Sequence, residues 1–292
     1  MSKIKIFCFG FGQVAKNFIN KINSEKIETD LSITSRKETG QVTFEKLQFN
    51  SYQFNEQNID KEVVNKIKSA DYILVSIPPI NGDDIVIKYF EQTFKELDNC
   101  KWITYLSATS VYGNHDGEWV NEKSKTRPSS LNGVNRLKAE NSWQRLATKF
   151  NLPLQIFRLS GIYSNEFNIL KRLKLGEVQL VSKENHFFSR IHLQDIANIL
   201  FKSLDKFKKN EIYNISDDKP ASQEELVSYG SRLLKIEKPK TTRVHELESE
   251  MLKNFYKDSK KVDNKKMKEF FNYKLKYPTY VEGLNYIFNN II

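Results

Sequence analysis

The chain has only two cysteines, Cys8 and Cys100, in 292 residues. That is too few for a disulfide framework or a cysteine-based zinc cluster, and no spacing of His, Cys and carboxylates suggests another metal site. No apolar stretch approaches the ~20 residues needed to cross a bilayer. A signal-peptide pattern is also missing, because Lys3 to Phe9 runs straight into Gly10-Phe11-Gly12 without a small-residue cleavage site. These absences predict a cytoplasmic protein with no membrane partner. Internal repeats are lacking, and the longest biased tract is the short Lys/Asn-rich stretch at 260–268.

Apolar residues make up 39% of the chain, with 20 Phe and 13 Tyr as bulky core material, so disorder is excluded. The length suits one large domain or two unequal lobes. The net charge of +10 invites a nucleic-acid reading. Its distribution argues against one: the lysines are scattered singly, and pairs such as Lys208-Lys209 and Lys260-Lys261 sit among acidic or polar neighbours. A nucleic-acid face needs clustered charge with aromatics placed to stack on bases.

Strand-like runs at Lys3–Phe9, Leu31–Thr34, Tyr72–Ile77, Trp102–Ser107 and Leu154–Arg158 alternate with amphipathic stretches at Val14–Ile22, Asp60–Lys68, Asp84–Leu97 and Arg136–Phe150. That alternation predicts βαβ units and an α/β fold, a Rossmann doubly wound parallel sheet with a smaller C-terminal α/β lobe. Asp71 to Ile77 is apolar on both faces, as expected of a central strand, and Pro78-Pro79 stops it. Past Arg158, loop and helix are expected over Ser160–Gln179, a helix over His192–Leu204 and a strand over Glu211–Ile215. A mainly helical region then runs from Ser222, which opens a capping box with Glu225. The domain boundaries expected are 1–160 for a dinucleotide-binding domain, with 190–217 returning to pack on it, and 161–292 for a substrate-binding lobe.

Gly10-Phe-Gly12-Gln13-Val14-Ala15 follows the first strand and opens a helix. Gly10 permits the tight turn, Gly12 lets the backbone approach a pyrophosphate, and Ala15 lets the helix pack close on the strand. The helix N-terminus then offers free N–H groups to phosphates, with the backbone of Gln13 and Val14 in its first turn. The strand end at Ile77-Pro78 completes the expected cofactor contacts. NAD sites place a carboxylate at the end of the second strand. Here the segment reads Thr34-Ser35-Arg36-Lys37, and hydroxyls with a guanidinium suit a 2′-phosphate. NADP(H) is therefore expected over NAD(H).

Further motifs carry a family resemblance. Leu106-Ser-Ala-Thr-Ser-Val-Tyr-Gly113, Ile156-Phe-Arg158-Leu-Ser-Gly161-Ile-Tyr163, Phe188-Ser-Arg190-Ile-His192-Leu-Gln-Asp195-Ile-Ala197 and Tyr213-Asn214-Ile-Ser-Asp217 occur in the order found in extended short-chain dehydrogenase/reductases. The sequence resembles the NAD(P)-dependent epimerases and dehydratases of that family, which act on nucleotide sugars. The resemblance implies a small-molecule substrate at the carboxyl ends of the strands and a monomer or homodimer.

The family's chemistry rests on a Tyr four residues before a Lys, with a Ser or Thr on the fifth parallel strand. Anchored on Glu140, those positions are Asn132 and Arg136, and the Ser/Thr position is Ala108. Asn has no proton of tunable pKa, and Arg stays charged. The pattern resembles the atypical branch that keeps the cofactor fold without the usual residues. Ser107, Thr109 and Tyr112 are the remaining catalytic candidates, with Tyr112 also readable as a packed aromatic at a strand end. Tyr256 and Lys260 fit the Tyr-Lys spacing by coincidence, far along the chain in the C-terminal lobe. His192 reads as structural; His115, next to Gly113 and Asp116 near the strand end, is the better active-site candidate of the two but reads first as a solvated loop histidine. Two functions follow: an epimerase-like oxidoreductase, or a non-catalytic dinucleotide-binding redox sensor or regulatory protein.

Overall fold

Strand β1 (Ile4–Phe9) is buried from Ile6 onward and is followed by helix α1 (Gln13–Ser24), whose Val14, Ala15, Phe18, Ile19 and Ile22 line one buried face. This opening belongs to a computed structural model describing residues 3–80, 82–248 and 256–291. Along the chain follow β2 (Thr29–Ser35), β3 (Gly40–Phe44), β4 (Leu47–Gln53), α2 (Glu62–Ser69), β5 (Tyr72–Val75), α3 (Ile85–Lys95) and β6 (Trp102–Ala108). Then come β7 (Trp119–Val120), α4 (Leu131–Phe150), β8 (Leu154–Leu159), β9 (Gly161–Tyr163), α5 (Ile169–Lys174), β10 (Leu180–Ser182) and β11 (Arg190–His192). The described residues end with α6 (Leu193–Lys202), β12 (Glu211–Ile215), α7 (Gln223–Leu234), β13 (Thr241–Arg243), β14 (Lys261–Val262), α8 (Lys265–Phe271) and α9 (Tyr280–Asn290).

Eight strands form one sheet in the order β12-β8-β6-β5-β1-β2-β4-β3. The pairs β1–β2, β1–β5, β2–β4 and β5–β6 are parallel, while β3–β4 is antiparallel. The result is an α/β fold of Rossmann type with a large, mostly parallel sheet flanked by helices. Asp71 fastens its centre. Its carboxylate accepts the Lys5 N–H at 2.8 Å, and its own N–H donates to the Lys5 carbonyl at 2.9 Å.

The chain divides into two compact units. One comprises Met1–Ser107, Asn135–Phe157 and Ala197–Ile212; the other comprises Ala108–Val134, Arg158–Ile196 and Tyr213–Ile292. The first has an aromatic-rich core in which Phe7, Phe9, Phe54, Phe90, Phe94 and Trp143 are buried. Each such ring contributes ~1.5–3 kcal/mol by leaving water, and edge contacts such as Phe7–Phe9 at 4.9 Å add to it. The second unit has its own core around Leu170, Leu180, Val227, Leu284 and Ile287. There α9 packs close to Tyr163: a Cβ on Gly283 would lie 2.2 Å from the tyrosine hydroxyl.

The helices expected over 14–22, 60–68, 84–97 and 136–150 are present, and Ser222 and Glu225 form their capping box. The structure differs from the sequence reading over 40–53, where no element was expected. Those residues make the β3–β4 hairpin, joined by Glu45-Lys46 with Glu45 at φ +54°. The helix expected within His192–Leu204, opening near Asp195, starts at Leu193, and His192 belongs to β11.

Candidate functional site

Gly10 takes φ +83°, a backbone region that strains any residue with a side chain. A Cβ there would also lie 3.0 Å from Ser76 Oγ and 3.1 Å from Ile77 Cγ1. The turn is locked from both sides. Thr34 Oγ1 accepts the Gly10 N–H at 3.0 Å, and Ser76 Oγ donates to the Phe9 carbonyl at 2.8 Å. Gly10, Thr34 and Ile77, which the sequence singled out separately, thus converge. Ser76 was missed; its signal was a small residue directly at the carboxyl end of the apolar Tyr72–Val75 run.

Gly12 is the N-cap of α1, and its surroundings are the opposite of those at Gly10. No atom lies within 4 Å of where its Cβ would stand, no side chain caps the helix, and no acidic residue occupies the first turn. The helix therefore presents uncapped amides and a partial positive charge to open space. Gln13 is exposed, whereas Val14 and Ala15 are buried, with Ala15 at 0% exposure against the sheet. A dinucleotide pyrophosphate fits this arrangement, since the space a side chain would fill is empty and the donors are unspent.

At the end of β2, Thr34 is buried and its hydroxyl oxygen accepts the Gly10 N–H, so it holds the turn. Ser35 Oγ accepts the Lys37 N–H at 3.2 Å. Arg36 is exposed, and its guanidinium takes no hydrogen bond or ion pair among the described residues. Ile77 is half-buried and Pro78 exposed beyond β5.

The catalytic candidates divide between the two units. Ser107, in the first, is 3% exposed, and its hydroxyl has no hydrogen-bond partner among the described residues. In the same unit the Arg136 guanidinium donates to the Leu106 carbonyl at 2.7 Å, so it is occupied in fastening β6. Asp84 lies nearby in the core, accepting Trp143 Nε1–H at 2.8 Å; burial raises its pKa. In the second unit, Thr109 is half-buried and Asn132 is exposed one turn before Arg136 on α4.

Tyr112 is fully buried. Its hydroxyl donates to Asn214 Oδ1 at 2.7 Å, and the Arg158 guanidinium lies 4.9 Å from its ring centre. Burial pushes the phenol up to about 12, against the lowering influence of Arg158. This enclosure fits the reading of Tyr112 as a packed aromatic at a strand end.

The Tyr256 hydroxyl donates to Gln223 Oε1, within the second unit. His115 Nε2 pairs with the Lys125 carbonyl at 3.1 Å, and His192 Nδ1 accepts the Gln194 N–H at 3.1 Å. No group of three metal-ligating side chains occurs among the described residues, and no described helix is long and apolar enough to cross a membrane.

No protein-family model and no curated protein matches the chain. Solved structures do. A functionally unknown conserved protein from Silicibacter pomeroyi DSS is 27% identical, with a TM-score of 0.85 over 98% of both chains. The UDP-glucuronic acid 4-epimerase of Bacillus cereus, solved with NAD, is 14% identical, with a TM-score of 0.77 over 99% of this chain and 96% of that one. The dTDP-glucose 4,6-dehydratase of Bacillus anthracis str. Ames, also solved with NAD, is 17% identical, with a TM-score of 0.75 over 98% and 96%. The fold is the one these nucleotide-sugar enzymes use.

Proposed function

We propose that the chain binds a nicotinamide dinucleotide at the Gly10–Ala15 turn, NADP(H) in preference to NAD(H), and serves as an epimerase/dehydratase-like oxidoreductase of a small molecule. The observation that carries the reading is the contrast between the two glycines. Gly10 is forced by its own chain, whereas Gly12 faces open space at an uncapped helix N-terminus. No contact among the described residues requires a glycine at position 12, and a pyrophosphate does. The NAD complexes of the two nucleotide-sugar enzymes support the cofactor class. They also support a nucleotide sugar as the substrate class.

The preference for the 2′-phosphate rests on Arg36, an exposed guanidinium with no partner among the described residues, where an NAD site would carry a carboxylate. A bound dinucleotide supplies hydride exchange at its nicotinamide ring. The chain's own contribution is then to orient it: Thr34 and Ser76 fix the turn, and the α1 amides take the phosphates.

A second reading has its own support. Asn132 and Arg136 stand at the family's Tyr and Lys positions, Arg136 is bound to the Leu106 carbonyl, and the Tyr112 hydroxyl is sealed against Asn214. On this reading none of them relays a proton, and the protein is a non-catalytic dinucleotide-binding redox sensor or regulatory protein.

Calorimetric titration with NADPH and NADH tests the binding. Arg36→Ala is expected to weaken NADPH ~10- to 100-fold and to leave NADH nearly unchanged; equal losses would remove the 2′-phosphate assignment. A turnover screen of the wild type against nucleotide sugars and small carbonyl compounds separates the two readings, because the sensor shows binding without hydride transfer.

A further inference from the structure

β2 and β3 are not neighbours: β4 lies between them, parallel to β2. The chain leaving Ser35 must therefore cross the carboxyl end of β4, a lateral step of about 10 Å, in the four residues Arg36 to Thr39. A crossing of this kind in an exposed segment would ordinarily be loose. This one is tied at both ends. Asn55 Nδ2 donates to the Arg36 carbonyl at 3.3 Å. Thr39 Oγ1 accepts the N–H of Gln53, the last residue of β4, at 3.0 Å, and the same hydroxyl donates to Asp60 Oδ2. Asp60 is itself fixed: its other oxygen accepts the Glu62 N–H at 2.8 Å, and its N–H donates to the Gln53 carbonyl at 2.9 Å.

The side chain emerging from this tied segment is Arg36, which is exposed and takes no hydrogen bond or ion pair among the described residues. Its neighbours Lys37 and Glu38 carry opposite charges, and the Asp60 carboxylate is already engaged by Thr39 and the Glu62 amide. The backbone beneath an idle guanidinium has thus been immobilised at the cofactor end of the sheet. Preorganising a charged donor reduces the ordering cost that binding would otherwise incur.

We propose that Thr39 and Asp60 are positioning residues for the cofactor's 2′-phosphate, holding the Arg36–Thr39 crossing so that Arg36 meets it ready-placed. The proposal rests on the reading of the Gly10–Ala15 turn as a dinucleotide seat and names what confers its selectivity. Neither residue touches the ligand. Their effect passes through Arg36 alone, which separates this role from a general structural one.

The test is calorimetry on the full chain with NADPH and NADH, and with 2′,5′-ADP and 5′-AMP as fragments with and without the phosphate. Thr39→Val is expected to weaken NADPH and 2′,5′-ADP about 3- to 10-fold while leaving NADH and 5′-AMP within about twofold. Thr39→Ser, which keeps the hydroxyl, restores the wild-type ratio, and Asp60→Asn shifts it in the same direction as Thr39→Val. In an Arg36→Ala background, Thr39→Val has no further effect on NADPH. Equal weakening of all four ligands, or an undiminished Thr39→Val effect without Arg36, overturns the proposal. Wild-type protein that binds none of them defeats the dinucleotide reading and this proposal together. Binding of both dinucleotides with a ratio indifferent to Thr39→Val defeats the positioning role alone.

Discussion

The hydroxyl of Tyr112 and the side-chain carbonyl of Asn214 meet at 2.7 Å, both residues at 0% exposure. Asn214 is held on its other sides too, its Nδ2 donating to the Asp263 carbonyl at 3.1 Å and its N–H to Glu122 Oε1 at 2.8 Å. Tyr112→Phe removes the phenolic donor and leaves a buried acceptor unsatisfied. The variant is expected to lose ~1–3 kcal/mol of stability by urea denaturation and to keep its NADPH affinity. Unchanged stability with loss of a measurable turnover would return Tyr112 to a catalytic role.

The two glycines of the turn should respond in opposite ways. Gly12→Val meets open space in an extended backbone, so its melting temperature is expected to stay within about 2 °C of wild type, while NADPH binding falls below detection. Gly10→Ala combines a positive φ with contacts to Ser76 and Ile77 and is expected to cost ~1–3 kcal/mol before any ligand is added. Scanning calorimetry with and without NADPH separates the two effects. Near-native NADPH affinity in Gly12→Val would reduce the motif to a simple turn.

A different glycine is fixed by the second unit's own packing. Gly113 has φ +69°, and a Cβ on it would stand 1.9 Å from the Arg127 carbonyl oxygen. The neighbour is backbone and cannot swing aside, and the Arg127 N–H is bonded to the Tyr112 carbonyl at 3.1 Å. Gly113→Ala is expected to cost more than ~3 kcal/mol and to reduce soluble yield. A stable, soluble variant would contradict this geometry.

Acid should destabilise the fold through two histidines. Burial, with Lys183 adding to it, lowers His186 to about 4, and burial, with Lys276, lowers His192 to about 4. An unfolded histidine titrates near ~6.5, so between that pH and about 4 the unfolded chain takes up protons that the folded chain refuses. The stability these residues confer is therefore complete above pH ~6.5 and is lost as the pH falls towards 4, by ~2–3 kcal/mol for each residue. Burial raises the pKa of Asp84, Asp195 and Asp217 and acts in the opposite sense, so the histidine contribution is read as a difference: between pH 7 and 4.5 the change in urea midpoint should be less downward in His186→Gln or His192→Gln than in the wild type. The same pH dependence in the wild type and both variants would refute the assignment.

The parallel strands and the glycine turn were legible because each leaves a local mark: an apolar run of strand length, or a glycine where a helix begins. The β3–β4 hairpin left none of the usual kind. Its turn is Glu45-Lys46, with the left-handed position given to Glu45 rather than to Gly or Asn. The alternation of Val42, Phe44, Leu47 and Phe49 was the available signal, and Phe44 and Phe49 pack edge-on against Phe11 at 5.2 and 5.3 Å. The roles of Thr34 and Arg136 could not be read locally, since their partners Gly10 and Leu106 lie 24 and 30 positions away. Composition marks such residues as polar; only the fold decides whether they face a ligand or a backbone carbonyl.

The hairpin also bears on the order in which the sheet assembles. Phe44 faces Leu47 and Gly40 faces Ser51, so this pairing closes over a few residues, whereas β1 must find β5 across more than sixty. Closing a short span sacrifices less chain freedom than closing a long one. The edge farthest from the sheet's centre is therefore the part an open chain can zip first. Once formed, it hands β4 to β2 as a ready-made template, with the Arg36–Thr39 crossing already drawn tight above it.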